Sequence, residues 1–338
     1  MAWIKFRMII AVFTGLWIFL SSCAGTAENN SVTDTVNVCI KRFEKDLFTV
    51  DFDTLDRHIL HLQSVYSRFF DLYNNQIINI GGTENKTYPV YLKAFLTDYT
   101  MNLNYQKIMS VYPDVSDVER LLTDGFRRYA AAFPGKIIPS VYTVMSGFNQ
   151  SIIVTEDVLA VSLDKYLGED CDFYARLGWP RYMTRNMNRQ NIAPDCIRGW
   201  ALTEFPLNDS SAALLDHMLY FGKIFWFTRQ MLPSVHDSLI FGYSGSQLKF
   251  CSRNEAKMWI YLIEHKLLYV KDYLTIRKFT GEGPFTKDFT VESPGGAANW
   301  LGYKIIEQYM MKNKNVKLSG LMNNTAYQEI LRLSVYNP

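Results

Sequence analysis

Few side chains in this sequence are arranged for catalysis. Asp216 and His217 come nearest to an acid–base pair, but neighbouring residues in a helix point about 100° apart. Ser146 is followed by glycine and phenylalanine, which departs from the GxSxG pattern of a nucleophilic serine. We therefore predict no catalytic residue, and a hydrolase in which His217 works with Glu204 or Asp216 is an alternative hypothesis.

Patterns that bind metal ions are also scarce. The chain has five histidines and no HExxH motif, and the cysteines after Cys23 have no CxxC spacing. His58 and His61 lie one helical turn apart, and we interpret them as a surface pair. We expect no metal and no cofactor. The later cysteines are either free thiols or members of disulfides with three possible pairings; they are Cys39, Cys171, Cys196 and Cys251.

The first residues are typical of an export signal that ends at a cysteine. Lys5 and Arg7 form a positive region, and the apolar run over residues 8–20 is shorter than the roughly 20 residues of a membrane-spanning helix. Leu20-Ser21-Ser22-Cys23 resembles the lipobox of bacterial lipoproteins, in which the cysteine is acylated and becomes the mature N-terminus. We predict a signal peptide over residues 1–22 and lipidation of Cys23. The alternative is an ordinary secretory signal with an incidental cysteine.

The remainder divides into a short tether and one large domain. Residues 23–38 are small and polar, which predicts a flexible tether. We predict a single domain over residues 39–338, and two intimately packed domains are the alternative. With 48% hydrophobic and 15% aromatic residues, the chain has ample material for a core. Residues 24–27 lack an acidic export cluster, so we expect the domain to face the periplasm.

Charge makes nucleic acid an unexpected partner. Removal of residues 1–22 takes away Lys5 and Arg7 and leaves 33 basic and 33 acidic residues. A neutral chain has no long-range field that attracts phosphate. Neither a Walker loop nor a zinc-finger spacing occurs in the sequence.

Two runs in the middle of the chain predict strands. Residues 140–145 and 158–163 are rich in β-branched and aromatic types, and a polar break at 146–150 and an extended piece at 151–154 separate them. We predict a small meander built on residues 139–163. The hydrophobic period elsewhere is that of helices, so the predicted fold class is α+β, mainly helical with a small central sheet.

The strongest helical pattern covers residues 211–232. Its polar residues form one narrow stripe, so the helix should be largely buried, and Lys223 should pair with a carboxylate or extend to solvent. We predict that five apolar side chains are mostly buried: Leu215, Met218, Leu219, Phe225 and Trp226.

Residues 173–191 are irregular, aromatic and basic. Such a mixture suits a surface that binds a partner, and a solvated loop is the alternative. The basic residues are Arg176, Arg181, Arg185 and Arg189.

Several short sequence segments together resemble those of the GldB family of gliding-motility lipoproteins. Besides the lipobox they include Arg42-Phe43-Glu44, Ser146-Gly147-Phe148-Asn149-Gln150, Leu163-Asp164-Lys165-Tyr166-Leu167-Gly168, Pro284-Phe285-Thr286 and Ser334-Val335-Tyr336-Asn337-Pro338. They occur in order over nearly the whole mature chain. The resemblance implies a lipid-anchored cell-envelope protein related to gliding motility or the associated secretion machinery, and it implies a location more firmly than a mechanism.

GldB proteins are also distantly similar to zinc metallopeptidases of the HExxH class. That chemistry needs two imidazoles one helical turn apart, a glutamate base between them and a third ligand. In this chain Thr203 and Leu207 stand where the histidines would be, and Phe221 stands where the third ligand would be. Only Glu204 matches. The resemblance therefore implies a degenerate zincin-like scaffold, a pseudopeptidase without metal ligands.

The leading hypothesis is a non-catalytic lipoprotein of the cell envelope. It would be held to the membrane by its lipid and would act as a protein-interaction or structural component with an envelope protein as partner. One alternative is a zinc-dependent, peptidase-like hydrolase. Another is a solute-binding lipoprotein whose aromatic cleft takes a sugar or a peptide.

Overall fold

The computed structural model describes residues 36–207 and 211–338. The predicted signal peptide over residues 1–22, the predicted lipidation site Cys23 and residues 24–35 of the predicted tether lie outside these residues. Residues 36–38, which were also predicted to belong to the tether, pack on the domain instead: Val38 is buried, and its backbone N–H donates to the Thr123 hydroxyl at 3.1 Å. Within the described part of the chain, no helix has the length and apolar character needed to span a bilayer.

A four-stranded sheet in the order β1-β2-β4-β3 lies at the centre of the fold. Its strands are β1 (Ile40–Arg42), β2 (Ser140–Val144), β3 (Ile152–Val154) and β4 (Val158–Ser162). β2 pairs in parallel with both β1 and β4, whereas β3 pairs antiparallel with β4. The predicted fold class, mainly helical α+β with a small central sheet, is confirmed.

The predicted meander is wrong in its pairing. In a meander β3 would lie between β2 and β4. Instead β4 lies between β2 and β3: one edge of β4 pairs in parallel with β2, and its other edge pairs antiparallel with β3. All residues of β4 and all but the first of β2 are buried, as in parallel strands that have helices on both faces. The sequence pattern does not predict β1, since three residues are too few to show a strand period.

Helices from the first part of the chain cover one face of the sheet. On that face Phe43, Phe69 and Tyr73 belong to a core cluster that reaches Tyr142 of β2, where the ring of Phe69 stacks at a centroid distance of 3.8 Å. These helices are α1 (Phe43–Phe48), α2 (Leu55–Tyr66), α3 (Arg68–Leu72) and α4 (Tyr88–Thr97). Two further helices before β2, α5 (Tyr99–Val111) and α6 (Ser116–Ala132), pack in the larger core instead.

The later helices form the larger core. The helix at Ile192–Glu204 contacts β3, β4 and α6, and the helix at Leu214–Met231 packs against both this helix and α6. The helices after β4 are α7 (Asp172–Arg176), α8 (Arg181–Thr184), α9 (Ile192–Glu204), α10 (Leu214–Met231), α11 (Asp237–Phe241), α12 (Gly245–Arg253), α13 (Glu255–Glu264), α14 (Tyr273–Thr280), α15 (Ala297–Lys312), α16 (Leu318–Asn323) and α17 (Tyr327–Ser334).

The tightest packing joins α10 to α15. A Cβ atom added to Gly222 would lie 2.4 Å from the backbone of Gly302, and one added to Gly302 would lie 1.8 Å from the carbonyl oxygen of Met218. The two helices therefore touch through their backbones. Glycine is required at both positions, because any side chain would push the helices apart.

Burial of α10 follows its hydrophobic pattern. Leu215, Met218 and Leu219 are fully buried, and Phe225 is 6% exposed, as predicted. Trp226 is only half-buried, which corrects that part of the prediction. Its ring lies beside that of Tyr303 of α15, with the centroids 6.0 Å apart, and the residue is partly open to solvent.

Lys223 departs from both expectations for a lysine in α10. Its ammonium is buried and pairs with no carboxylate of residues 36–207 and 211–338; it donates to the carbonyl oxygens of Met322 (3.1 Å) and Asn324 (3.0 Å), where α16 ends. The ring of Tyr327 lies 5.0 Å from Nζ. Burial lowers the pKa of Lys223 to about 8. The residue joins α10 to the end of α16.

The four later cysteines, all within the described residues, are free thiols. Cys39 is exposed, whereas Cys171, Cys196 and Cys251 are buried. Burial raises the pKa of the Cys251 thiol to about 12, so this side chain stays protonated and unreactive near neutral pH. Of the two interpretations of the cysteines, free thiols are confirmed.

Candidate binding surface at the carboxyl ends of the parallel strands

The degenerate peptidase-like positions lie at the end of α9 and on α10. Thr203 is exposed, and its hydroxyl donates to the carbonyl oxygen of Gly199 at 3.2 Å. Leu207 and Phe221 are half-buried and pack on the larger core. Three of the four positions therefore offer no strong metal ligand, since a hydroxyl engaged by its own helix and two apolar side chains do not bind zinc.

Glu204 is engaged by its neighbours. Its carboxylate accepts a hydrogen bond from the hydroxyl of Tyr129 at 2.9 Å and lies 3.0 Å from the ammonium of Lys136. The side chain is 19% exposed. These contacts connect the end of α9 to α6 and to the segment before β2. Glu204, at the position of a catalytic base, therefore has a structural role here.

The other titratable candidates do not assemble into a metal site. In residues 36–207 and 211–338, no three histidine, cysteine, aspartate or glutamate side chains lie close enough to share an ion. Asp216 accepts from the backbone N–H of Ala213 at 2.8 Å and so caps the start of α10. Asp216 therefore has a local structural role.

A more distinctive arrangement lies where β2 and β4 end. The loop after β2 places both Gly147 and Phe148 at positive φ, 69° and 65°. Such a conformation is costly for phenylalanine and persists only where the surroundings hold it. The Asp164 carboxylate, just after β4, stabilises this conformation by accepting a hydrogen bond from the backbone N–H of Phe148 at 2.7 Å.

Asp164 is fully buried and connects three parts of the chain. Its carboxylate bonds the loop after β2, its Oδ2 lies 3.5 Å from the amide nitrogen of Asn104 on α5, and its backbone carbonyl accepts from the Tyr174 hydroxyl on α7 at 2.9 Å. Burial raises the pKa of the Asp164 carboxyl to about 6, against the opposing effect of N–H groups from Phe148 and Ser146.

Lys165 follows directly and lies under an aromatic ring. Its ammonium is 3.8 Å from the ring centroid of Trp179 and 3.4 Å from the carbonyl oxygen of Phe148. Burial lowers the pKa of Lys165, and the charge of Asp164 partly offsets that effect. Among the described residues, no carboxylate comes within ion-pair distance of this ammonium.

Aromatic side chains extend this arrangement to the surface. The ring of Phe148 lies 5.3 Å from that of Phe173 and 6.2 Å from that of Trp179, measured between centroids. All three are half-buried. Tyr174 is fully buried beneath them and stacks against Trp179 at 5.3 Å. Part of each outer ring is therefore open to solvent on a rigid base.

A groove of about 350 Å³ opens beside these rings, between α5 and α7. We call it the α5–α7 groove; its lining residues are Leu103, Gln106, Lys107, Ser110, Asp172, Phe173 and Arg176. Lys107 and Arg176 are exposed, and neither forms an ion pair with another described residue. The guanidinium of Arg176 lies 5.9 Å from the ring centroid of Phe173.

The basic stretch singled out in the sequence contributes only one arginine to this groove. Arg181 pairs with Glu169 at 3.1 Å, Arg185 donates to the carbonyl oxygen of Gly242 at 3.0 Å, and Arg189 pairs with Asp117 at 2.5 Å. The side chains of these three arginines are therefore engaged in contacts within the protein. Lys107 has no local signal in the sequence, because its place at the groove depends on how α5 packs.

Comparison with known proteins gives one family. A family model described as gliding motility protein GldB matches residues 25–338. No curated protein and no solved structure matches the chain.

Proposed function

Because the chain belongs to the family of gliding motility protein GldB, we propose that it is a lipid-anchored envelope protein that works by binding a protein partner, without catalysis. The family implies a lipoprotein of the cell envelope related to gliding motility. The finer parts of the proposal are a signal peptide over residues 1–22, a lipid on Cys23, a tether that ends before the packed residues Val36 and Val38, and a domain that faces the periplasm.

One observation carries the non-catalytic part of the proposal. At the peptidase-like positions, Glu204 is held by Tyr129 and Lys136, and its neighbours in the pattern are Thr203 and Leu207. A catalytic zinc site needs about three protein ligands and an open position for water. A pseudopeptidase, descended from a zincin-like scaffold and now used for binding, accounts for a lone glutamate in a structural ion pair.

Metal content and peptidase activity test this part together. The full-length protein is extracted without chelator, its zinc is measured by elemental analysis, and a mixture of unstructured peptides is offered as substrate. We expect less than a tenth of an equivalent of zinc and no chelator-sensitive cleavage. One tightly held equivalent with cleavage that a chelator abolishes would overturn the proposal and favour the zinc-dependent hydrolase.

A matched pair of variants makes the activity measurement specific. Glu204→Gln removes the carboxylate at the place of the base, and Glu264→Gln removes an exposed carboxylate at the end of α13. Neither should change the background rate of cleavage. Loss of a measurable activity in the first variant alone would assign Glu204 a catalytic role.

A further inference from the structure

The two walls of the α5–α7 groove are fixed to the same buried residue. On one side, Asn104 of α5 lies at 3.5 Å from the Asp164 carboxylate. On the other, the Tyr174 hydroxyl of α7 donates to the carbonyl oxygen of Asp164 at 2.9 Å and accepts from the N–H of Leu167 at 2.8 Å. The groove is therefore preformed, which reduces the entropy lost when a ligand binds.

The charge of the groove favours an anionic ligand. Lys107 and Arg176 supply two exposed cations with no ion-pair partner among the described residues, against the single acid Asp172. Nearby Glu169 and Asp170 are already paired with Arg181. An arginine beside an aromatic ring keeps its planar fork of N–H donors available, and that fork matches a carboxylate.

The apolar part of the groove favours a ligand with a hydrophobic side chain beside its charge. Leu103 and Phe173 line it, and Phe173 continues into the partly exposed rings of Phe148 and Trp179. Phe148 is kept at this surface in an unfavourable backbone conformation. Aromatic and arginine side chains on a rigid base are the residue types that dominate protein–protein binding.

We propose that the α5–α7 groove docks a short peptide segment of the partner protein that carries a carboxylate side chain next to an apolar one. The carboxylate pairs with Arg176 and Lys107, and the apolar side chain lies on Phe173 and Leu103. This inference rests on the proposed function, because it names the surface and the chemistry by which the partner binds.

Photocrosslinking in intact cells tests the groove directly. The full-length protein is made with p-benzoylphenylalanine in place of Gln106, which lines the groove, or in place of Gln328, which lines a second surface depression of about 670 Å³. Both glutamines are exposed. We expect a protein adduct at position 106 and at least about tenfold less at position 328, because Arg332, the cation that lines the second depression, is already paired with Glu329.

Charge reversal gives the second measurement. Lys107→Glu combined with Arg176→Glu should lower the adduct at position 106 at least about tenfold, since the carboxylate would then be repelled. The control combines Lys257→Glu with Arg57→Glu, two exposed cations elsewhere that form no ion pair with other described residues. The control should leave the adduct unchanged, and thermal unfolding of both variants checks that each is folded.

Mass spectrometry of the adduct decides the chemistry. A crosslinked peptide with an acidic residue within two positions of an apolar one supports the inference. A basic or uniformly polar peptide, a lipid adduct, or an adduct that survives charge reversal overturns it. If a lysine-reactive crosslinker captures a partner while position 106 captures none, the assignment of the α5–α7 groove as the docking site is wrong and the proposed function stands. If neither reagent captures a partner, the proposed function itself fails.

Discussion

At the residue scale, Asp164 determines the local shape of the candidate surface. It is fully buried, and it accepts from the N–H of Phe148 while its neighbour Lys165 lies under Trp179. A buried carboxylate without an ion-pair partner is costly when charged. Ionisation of Asp164 therefore lowers the stability of the folded protein near neutral pH, and this effect is measurable.

The first prediction concerns this carboxylate. Its pKa is raised from 3.8 to about 6 in the folded protein, so the folded state binds the proton more tightly than the unfolded state. The stability gained by protonation is fully present below about pH 4 and is lost as the pH rises through about 6. In Asp164→Asn the unfolding free energy should fall less between pH 4 and pH 7 than in the wild type.

Urea unfolding at intervals of one pH unit measures this difference. Other carboxyl groups titrate in the same range, so the comparison is between the two slopes rather than within one curve. Asp53→Asn, which alters an exposed carboxylate, should keep the wild-type slope. Equal slopes for Asp164→Asn and the wild type would show that Asp164 is not protonated in this range.

Lys223 provides the second prediction, with the opposite sign. Burial lowers its pKa from 10.5 to about 8 in the folded protein, so the unfolded state binds more protons between these values. The unfolding free energy of the wild type should therefore rise with pH between about 8 and 9.5, relative to Lys223→Met. Chemical denaturation across that window gives both profiles, and parallel profiles would mean that the ammonium is not desolvated.

At the element scale, α10 is the helix on which the larger core depends. It meets α15 through Gly222 and Gly302 and carries Leu215, Met218 and Leu219 into the interior. Its hydrophobic pattern was sufficient to predict this burial, because a helix that is apolar almost all round must be covered. The pattern could not predict that Trp226 is only half-buried, since the exposure of one residue depends on the tertiary packing around it.

The third prediction tests the burial of α10. Leu219→Ala should lower the unfolding free energy by about 2–5 kcal/mol, because the truncated side chain leaves a cavity in a packed interior. Leu60→Ala on α2 is the matched control: Leu60 is 64% exposed, and the change should be about 0.5 kcal/mol or less. Equilibrium denaturation of the two variants compares them. Similar small effects at both positions would contradict the packing described for α10.

The sheet marks the limit of prediction at this scale. Residue types located β2, β3 and β4 in the sequence, because β-branched and aromatic runs are local signals. Pairing is not local. The parallel alignment of Val141 with Leu159, and of Ile40 with Val141, depends on helices that cover both faces and on a segment of nearly 100 residues between β1 and β2.

At the scale of the whole molecule, membership in the GldB family covers residues 25–338 and gives the envelope context. The fourth prediction is that Cys23 attaches the chain to the membrane. Cys23→Ser should release the protein into the soluble fraction or stall its processing, whereas Cys39→Ser, at an exposed cysteine, should leave it in the membrane fraction. Fractionation and immunoblotting measure both. Normal processing and membrane retention of Cys23→Ser would contradict the lipidation site.

The candidate surface was only partly predictable. The aromatic and basic character of residues 173–191 indicated a partner surface, yet Arg181, Arg185 and Arg189 are used inside the chain. Lys107 and Arg176 come from distant segments and line the same groove because α5 and α7 pack near each other, and Phe148, from a third segment, lies beside Phe173. A groove built from separate segments has no continuous signal in the sequence.

The most direct measurement of the central claim is a crosslinking pull-down of the full-length protein from intact cells. Lysine-reactive crosslinking followed by quantitative mass spectrometry should enrich the same envelope protein in every replicate, in amounts close to one per bait molecule. An unrelated lipid-anchored bait should not enrich it. If no protein is enriched over that control, and the purified chain instead carries zinc and cleaves peptides, the molecule is an enzyme and the binding account is wrong.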